Sequence, residues 1–176
     1  MSIKEYSQYL VTDTEAELLA LSPMPGTIGW PMDSKVRVLY DGTSWKPSAA
    51  IQILRGTVEI NGKATGNTKI FTTPNTSFKF VPIGIHVEYT DITGVLGLAP
   101  NITIGTNPTT YNNIASSNAL ATLLSSVGLV SPSAFTIANA IPPIVKNTDI
   151  YARVTTAATL YTAYKLRADI FGYYEV

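Results

Sequence analysis

His86 is the only histidine in the chain, and so the first residue to consider for acid–base chemistry. It lies in the stretch Ile85–Thr90, where apolar and polar residues alternate as they do in a β-strand with one buried face. Glu88 shares the polar face with His86. A Ser–His–Asp arrangement would need the histidine in a cleft beside a nucleophile and a carboxylate. A solvated strand face explains the same two residues, and we therefore expect no catalytic role for His86.

Carboxylates could also act in pairs, as in glycoside hydrolysis, even when they come from distant strands. The candidates fall at strand ends, in turns or on outward faces, where a solvated charge is the simpler interpretation: Glu88, Asp91, Asp149, Asp169 and Glu175. The chain has no cysteine, and a histidine-based metal site normally draws on several histidines. The glycines of Gly94–Gly97 lack the lysine of a phosphate-binding loop. The sequence therefore predicts no enzyme, no metal site and no cofactor.

Tyrosines are the remaining residues with binding chemistry. Clusters of aromatic side chains on a surface can bind sugars or partner proteins. Tyrosine is also a favourable strand residue. We interpret the tyrosines mainly as core and subunit-interface residues, and the group comprises Tyr111, Tyr151, Tyr161, Tyr164, Tyr173 and Tyr174.

The charge balance limits the classes of partner. Twelve basic and twelve acidic residues give a formal net charge of zero. This argues against nucleic-acid binding, which needs a basic excess or a basic face. Charged residues make up only 14% of the chain, so little self-repulsion keeps copies apart, which indicates assembly.

The first residues lack the apolar core of a secretory signal, and the apolar run Ala119–Val130 is too short to span a bilayer, so no membrane partner is expected.

The elements that must position these residues fall into two segments. Residues 1–49 are predicted to form a small helix-plus-hairpin module, with too little apolar material to fold alone with confidence. Its helix over Thr14–Leu19 has two possible capping boxes, Thr12 with Glu15 and Thr14 with Glu17. A hairpin follows, in which Val36–Tyr40 leads through the turn signal Asp41-Gly42 to Trp45. Lys46-Pro47 then ends the return strand, because proline cannot donate to a sheet.

Residues 50–176 are predicted to form an antiparallel β-sandwich. Several stretches alternate apolar and polar residues, as expected for sheets with one buried and one solvated face. The predicted strands are Gln52–Ile60, Thr68–Thr73, Ser77–Pro82, Ile83–Thr90, Asn101–Ile104, Ile150–Thr155 and Thr162–Tyr174. A second hairpin turn is predicted at Asn61-Gly62.

One helix is predicted inside the second segment, over Asn113–Val127, because its apolar residues recur at helical spacing and Gly128 supplies a stop. Gly105–Thr110 and Ser131–Asn147 are predicted to be loops at one end of the sandwich. The fold class is therefore mainly β, with one inserted helix and no alternating strand–helix units.

The stretch from Glu15 to Trp45 resembles a module of tailed-bacteriophage fibre proteins and head-attached proteins. That module has a short helix, a Gly-x-Ile strand, a turn, and a strand ending in Tyr-x-Gly-Thr-x-Trp. The matching stretches here are Ala16–Leu21, Gly26–Ile28, Asp33-Ser34 and Val38–Trp45.

The second segment resembles the jelly-roll domain of phage head decoration and cement proteins, through its layout and a few short strings. These strings are Thr68–Thr72, Ile102–Gly105, Asn107–Asn113 and Gly172–Tyr174. The chain has no internal repeat, which favours a compact capsid-bound protein over a fibre.

The two resemblances imply a virion protein on the outer capsid surface. It would bind the major capsid protein, act as a homo-oligomer, commonly a trimer, and stabilise contacts between capsid subunits. Residues 1–49 would be the capsid anchor, with Trp30, Tyr40 and Trp45 as interface residues, although both tryptophans could equally pack against the jelly roll. The alternatives are a receptor-binding module whose loops recognise a glycan and, third, a small glycan-degrading enzyme.

Overall fold

The computed structural model describes residues 9–48, 51–95, 97–119, 133–134 and 143–176. The first part of the chain forms one sheet and one short helix. Its elements are β1 (Tyr9–Thr12), α1 (Glu15–Leu19), β2 (Ile28–Pro31), β3 (Val38–Tyr40) and β4 (Trp45–Pro47). The strands form a four-stranded sheet in the order β1-β2-β3-β4, which we call the N-terminal sheet. β1 runs parallel to β2, and the other pairs are antiparallel.

Of the two capping boxes that the sequence allows for α1, the structure has the one between Thr14 and Glu17. The backbone N–H of Glu17 donates to Thr14 Oγ1 at 3.2 Å, and the backbone N–H of Thr14 donates to Glu17 Oε2 at 3.1 Å. Two backbone donors at the helix start, which have no partner inside the helix, are thereby satisfied. Leu18 faces inward and is fully buried.

The rest of the described chain forms two further antiparallel sheets. Its strands are β5 (Gln52–Arg55), β6 (Ile60–Asn61), β7 (Gly66–Thr72), β8 (Lys79–Gly94), β9 (Asn101–Gly105), β10 (Ala115–Ala119), β11 (Ser133–Ala134), β12 (Asp149–Thr156) and β13 (Tyr161–Glu175). One sheet has the order β10-β9-β12-β7. The other, which we call the β8–β13 sheet, has the order β11-β8-β13-β5, and β6 also pairs with β13. The chain is thus mainly β, with several sheets.

The predicted strands Ser77–Pro82 and Ile83–Thr90 are one continuous strand, β8. Proline usually interrupts a sheet because it lacks an N–H donor. Here Pro82 lies opposite Gly172, and the register of β13 shifts between Phe171 and Gly172. Phe171 lies opposite Gly84, so the residue without a partner is Ile83 of β8 itself. This bulge lies next to the proline, and β8 continues through it without a break.

The predicted helix over Asn113–Val127 is wrong where the structure describes it. Ala115–Ala119 is strand β10, which pairs antiparallel with β9. Ile114 and Ala115 are fully buried beside that strand, so pairing with β9 prevails over the helical periodicity. The remainder of the predicted helix, and most of the predicted loop Ser131–Asn147, lie outside the described residues.

The hairpin predicted at Asn61-Gly62 is also wrong, because the strands on either side of it belong to different sheets. β6 pairs with β13, and β7 pairs with β12. The glycine is needed for a close approach, since a Cβ on Gly62 would lie 2.9 Å from Tyr164 Cδ1. Its backbone N–H donates to the Tyr164 carbonyl oxygen at 2.7 Å.

Buried hydrophobic residues from all three sheets belong to one core cluster. A buried carboxyl group also joins the N-terminal segment to the rest of the chain. Glu15 is 5% exposed, and its Oε2 and Oε1 accept hydrogen bonds from Thr76 Oγ1 and the Ser77 N–H, each at 2.6 Å. Burying a carboxyl group is costly without such partners, so these bonds hold α1 in a defined place against residues 76–77.

Candidate interaction surface

The hairpin turn between β3 and β4 is organised by Asp41, as the sequence predicts. Asp41 Oδ1 accepts hydrogen bonds from the backbone N–H groups of Thr43 and Ser44, both at 2.8 Å, and from Thr43 Oγ1 at 2.7 Å. The bond from Ser44, and then those from Thr43, lower the pKa of Asp41 to about 2. Gly42 has a φ of 103°, which favours glycine. The turn fixes the register in which Tyr40 lies opposite Trp45.

Tyr40 and Trp45 lie on the inner face of the N-terminal sheet. They are 7% and 6% exposed, and their ring centroids are 5.3 Å apart at a tilted angle. Trp45 Nε1 donates to the Leu21 carbonyl oxygen at 2.9 Å. A Cβ on Gly29 would lie 2.5 Å from Leu18 Cδ2 and 2.9 Å from Trp45 Cζ3, so the sheet needs glycine there. Trp45 therefore joins β4 to the segment that follows α1.

Trp30 lies on the opposite, outer face of the same sheet. The register places Val11 beside Trp30, and places Tyr9 and Leu39 on either side of Ile28. Paired residues point to the same side of a sheet, so these five residues share one face. Tyr9, Val11, Trp30 and Leu39 are 68%, 66%, 41% and 42% exposed, respectively. We call Tyr9, Val11, Ile28, Trp30 and Leu39 the outer apolar face. Lys46, opposite Leu39, adds a positive charge at its border.

The three residues predicted to form the capsid interface are therefore not brought together. Tyr40 and Trp45 contact each other inside, and Trp30 is exposed on the other side. Sequence analysis missed Tyr9, Val11 and Leu39 as neighbours of Trp30. A signal was present for Leu39, since it alternates with the buried Val38 and Tyr40. The parallel pairing that brings Tyr9 and Val11 beside β2 has no local sequence signal.

Two of the candidate carboxylates, Glu88 and Asp149, have structural partners, and His86 lies on the same strand as Glu88. On β8 and β13, Arg167 Nη2 donates to Glu88 Oε2, and His86 lies opposite Asp169 in the register. Asp149 accepts from Thr72 Oγ1 at 2.6 Å, and this bond, followed by Lys69, lowers its pKa. Within the described ranges there is no group of three or more histidine, aspartate or glutamate side chains that could hold a metal ion.

Tyrosines contact each other through their rings in two groups, one buried and one partly exposed. Tyr164 makes edge contacts with Tyr89 and Tyr161, with ring centroids 6.0 and 5.0 Å apart, and all three are buried. Burial raises the pKa of Tyr164, and Tyr89 raises it further. Tyr111 and Tyr151 are partly exposed, with ring centroids 4.7 Å apart.

The loop that carries Tyr111 is held in one conformation by side-chain amides. Asn113 Oδ1 accepts from the Thr106 N–H at 2.7 Å, and Asn107 Oδ1 accepts from the Asn112 N–H at 2.9 Å. Thr109 and Tyr111 have positive φ angles of 82° and 46°. Such angles are unfavourable for residues other than glycine, so the hydrogen bonds must offset this strain. The loop is ordered without regular secondary structure.

Comparisons with known proteins give one structural similarity. No family model matches the chain, and no curated protein matches it. The chain is similar to a chain of the cyanophage Pam1 capsid asymmetric unit, with 15% sequence identity and a TM-score of 0.48. The similarity covers 70% of this chain and 84% of that one.

In the parts of the chain that the structure describes, no helix has the length and apolar character needed to cross a membrane. The described helix, α1, is five residues long.

Proposed function

We propose that the chain is a structural protein of a phage virion that binds the outer capsid surface as an oligomer and stabilises contacts between major capsid subunits. The proposal involves no chemical reaction. A protein that binds only the assembled shell adds its binding free energy to the stability of that shell. The resemblance of residues 15–45 to a module of phage structural proteins supports it.

The observation that carries the proposal is the outer apolar face. An exposed tryptophan among exposed aliphatic and aromatic side chains is typical of an interaction site rather than of a solvated surface. Because the inner face of the same sheet is already packed against Leu18, the outer face is available to a partner. In this proposal Trp30 is the central contact with the major capsid protein, and Tyr40 and Trp45 support it from beneath.

The Glu15 contacts explain how binding at this sheet could act on the shell. A capsid anchor stabilises a shell only if it is attached firmly to the rest of the protein. The hydrogen bonds from Thr76 and Ser77 to Glu15 make that attachment through a buried group. Residues 76–77 lie just before strand β8, which begins at Lys79, so the outer apolar face would be coupled to the β8–β13 sheet through this contact.

The experiment compares particles with and without the protein. We expect a copy number in the hundreds per purified virion, and a loss of particle stability to heat or chelators when the protein is omitted, with host adsorption unchanged. Trp30→Ala should reduce binding to empty capsids by an order of magnitude or more, since truncation of a hot-spot residue costs about 2 kcal/mol or more.

Ile83→Ala is the matched control, because Ile83 is an exposed apolar residue on β8 and is not part of the N-terminal sheet. It should bind capsids as the wild type does. A few copies per particle, or loss of adsorption from particles that stay robust, would contradict the proposal.

A trimer is the oligomer we propose. The low charge content and zero net charge favour self-association. Trimers would also match sites of threefold symmetry on an icosahedral shell, and closed cyclic symmetry is the usual form of homo-oligomers. Analytical ultracentrifugation of the purified chain tests this: a monomer at all concentrations and in the presence of capsids would contradict it.

Recognition of a glycan is the second candidate function, and the Tyr111–Tyr151 pair favours it. Partly exposed tyrosine rings beside an ordered polar loop can stack on a sugar ring. Tyr111→Ala would then abolish host adsorption and leave particle stability unchanged. The opposite result, stability lost with Trp30→Ala and adsorption kept with Tyr111→Ala, would favour the capsid role.

A further inference from the structure

A cleft of about 680 Å³ lies between the N-terminal segment and the β8–β13 sheet. Its lining includes Ser34 and Lys35 of the N-terminal segment, together with Phe71 of β7 and Tyr174 of β13. Its volume is within the range of about 300–1,000 Å³ that is usual for binding sites, and such sites often form where two units of a protein meet. The outer apolar face and the Tyr111–Tyr151 pair do not contribute to it.

Strand β5 lines this cleft with all of its residues, from Gln52 to Arg55. Side chains of consecutive strand residues point to opposite faces, so a cleft along one face would be lined by alternate residues. Lining by four consecutive residues means that the cleft runs along the edge of the strand.

β5 is an edge strand. In the order β11-β8-β13-β5 it is terminal, and β13 is its one strand partner among the described residues. In an antiparallel pair, half of the backbone N–H and C=O groups point away from the partner strand. Such groups on an edge strand are a template for pairing with another extended chain. β5 thus offers backbone hydrogen bonds to the cleft.

The side chains around this edge are suited to an acidic partner. Lys35 and Arg55 both line the cleft, and neither has an ion-pair partner among the described residues. Asp33 also lines the cleft, but its Oδ1 already accepts from the backbone N–H groups of Glu15 and Ser34, at 2.9 and 2.7 Å. The charges of the cleft lining therefore sum to a positive value.

Two neutral polar groups add to this chemistry. The Gln52 amide Nε2 is shielded from solvent and has no hydrogen-bond partner within the described structure, although most buried polar groups do. Tyr174 keeps its phenolic proton, because burial, with a further contribution from Glu15, raises its pKa to about 12. Phe71 and Ile53 supply apolar contact area.

We propose that an extended segment of a partner protein adds to the free edge of β5 as a further strand, with an acidic side chain held by Lys35 and Arg55. Main-chain hydrogen bonds to the edge would supply affinity, and the cations and apolar side chains would supply specificity. This inference does not depend on the outer apolar face or on the identity of the shell.

The test uses the full-length protein and short fluorescent peptides. One peptide alternates valine with glutamate, and its counterpart alternates valine with lysine. We expect the acidic peptide to bind at least about tenfold more tightly. Hydrogen exchange at the backbone amides of Gln52–Arg55 should slow when it binds. Methylation of alternate peptide nitrogens, in the phase that faces β5, should abolish binding, because strand addition needs those N–H groups.

Arg55→Glu should weaken binding of the acidic peptide about tenfold or more and improve binding of the lysine peptide. Lys79→Glu is the matched control, since Lys79 is an exposed lysine on β8 outside the cleft lining, and it should leave both affinities unchanged. Hydrogen exchange on the wild-type protein keeps the test valid even if a variant misfolds.

Three results would overturn the inference. Equal binding of the acidic and lysine peptides would show that Lys35 and Arg55 do not select an acidic partner. Binding of free glutarate as tight as that of the acidic peptide would show that the cleft takes a small carboxylate instead of a strand. Self-association of the wild type that Arg55→Glu abolishes would show that a second copy of this chain occupies the edge. None of these results bears on capsid binding through Trp30.

Discussion

The N-terminal sheet and the charged part of the β8–β13 sheet have the same alternation of side chains but opposite kinds of exposed residue. The outward positions of β13 include Lys165 and Arg167, which form ion pairs with Glu59 and Glu88. The exposed positions of β1 and β2 are Tyr9, Val11 and Trp30. The charged face of β13 is suited to water, and the apolar face of β1 and β2 is suited to a protein partner. The alternation alone thus shows which positions point outward. The residue types at those positions indicate whether the face is exposed to solvent or binds a partner.

The largest expected effect separates the two tryptophans of the N-terminal sheet. Trp45→Ala should lower the free energy of unfolding by about 3–5 kcal/mol, because it leaves a cavity beside Tyr40 and removes the hydrogen bond to Leu21. Trp30→Ala should lower it by less, about 1–2 kcal/mol, because Trp30 is 41% exposed and leaves no internal cavity. Urea denaturation followed by far-UV circular dichroism measures both. Equal losses for the two variants would show that the outer face is covered within the chain itself.

The second effect concerns the attachment of the N-terminal segment to the rest of the chain. Glu15→Ala should lower the free energy of unfolding by about 1–3 kcal/mol, because Thr76 Oγ1 and the Ser77 N–H lose their acceptors. Glu15→Gln, which keeps one acceptor, should cost less. Hydrogen exchange at Ser77 should become faster in Glu15→Ala. If exchange there stays slow while stability falls, Glu15 acts only within α1.

A smaller effect is expected on the charged face of the β8–β13 sheet. Arg167→Ala and Glu88→Ala should each change the free energy of unfolding only slightly, since surface ion pairs contribute little. A double-mutant cycle measured by thermal denaturation gives the coupling of the pair. It should weaken as salt is added, because added ions screen exposed charges. A large coupling that added salt does not weaken would mean that the ion pair is a structural element of the sheet.

The smallest effect is the pH response of the β3–β4 turn. The folded pKa of Asp41, about 2, is below its ordinary value of 3.8. Its contribution to stability is therefore fully present above about pH 4, and is lost as the pH falls through about 2. Wild type and Asp41→Asn should differ in their unfolding between these values and respond alike above them. Identical acid responses would show that the turn bonds do not depend on the charge of Asp41.

Elements specified by adjacent residues could be predicted from the sequence. The Thr14 capping box and the Asp41-Gly42 turn depend on hydrogen bonds within a few residues, and both are present. The mainly β class also follows from local alternation. The use of residues 1–49 and 50–176 as two domains stays a prediction, as does the jelly-roll topology.

Features that depend on distant pairing could not be predicted. Helical periodicity and strand pairing compete at Ala115–Ala119, and the decisive partner, β9, is brought alongside by the fold. For Trp30, the residue type pointed to an interface, but its neighbours Tyr9 and Val11 follow from a parallel register that no local pattern encodes. The cleft beside β5 depends on the same kind of information, because it joins Lys35 to Tyr174 across most of the chain.

The position of β13 has a consequence for the synthesis of this protein. β13 lies between β8 and β5 and also pairs with β6. Three earlier strands can therefore form these pairings only after residues 161–175 have been synthesised. While the chain is still on the ribosome, those strands have unpaired edges, which are prone to aggregation. A protein with so many non-local pairings is expected to fold slowly and only after β13 has emerged. Partly made chains would then be targets for chaperones, and the completed chain alone would be competent to bind.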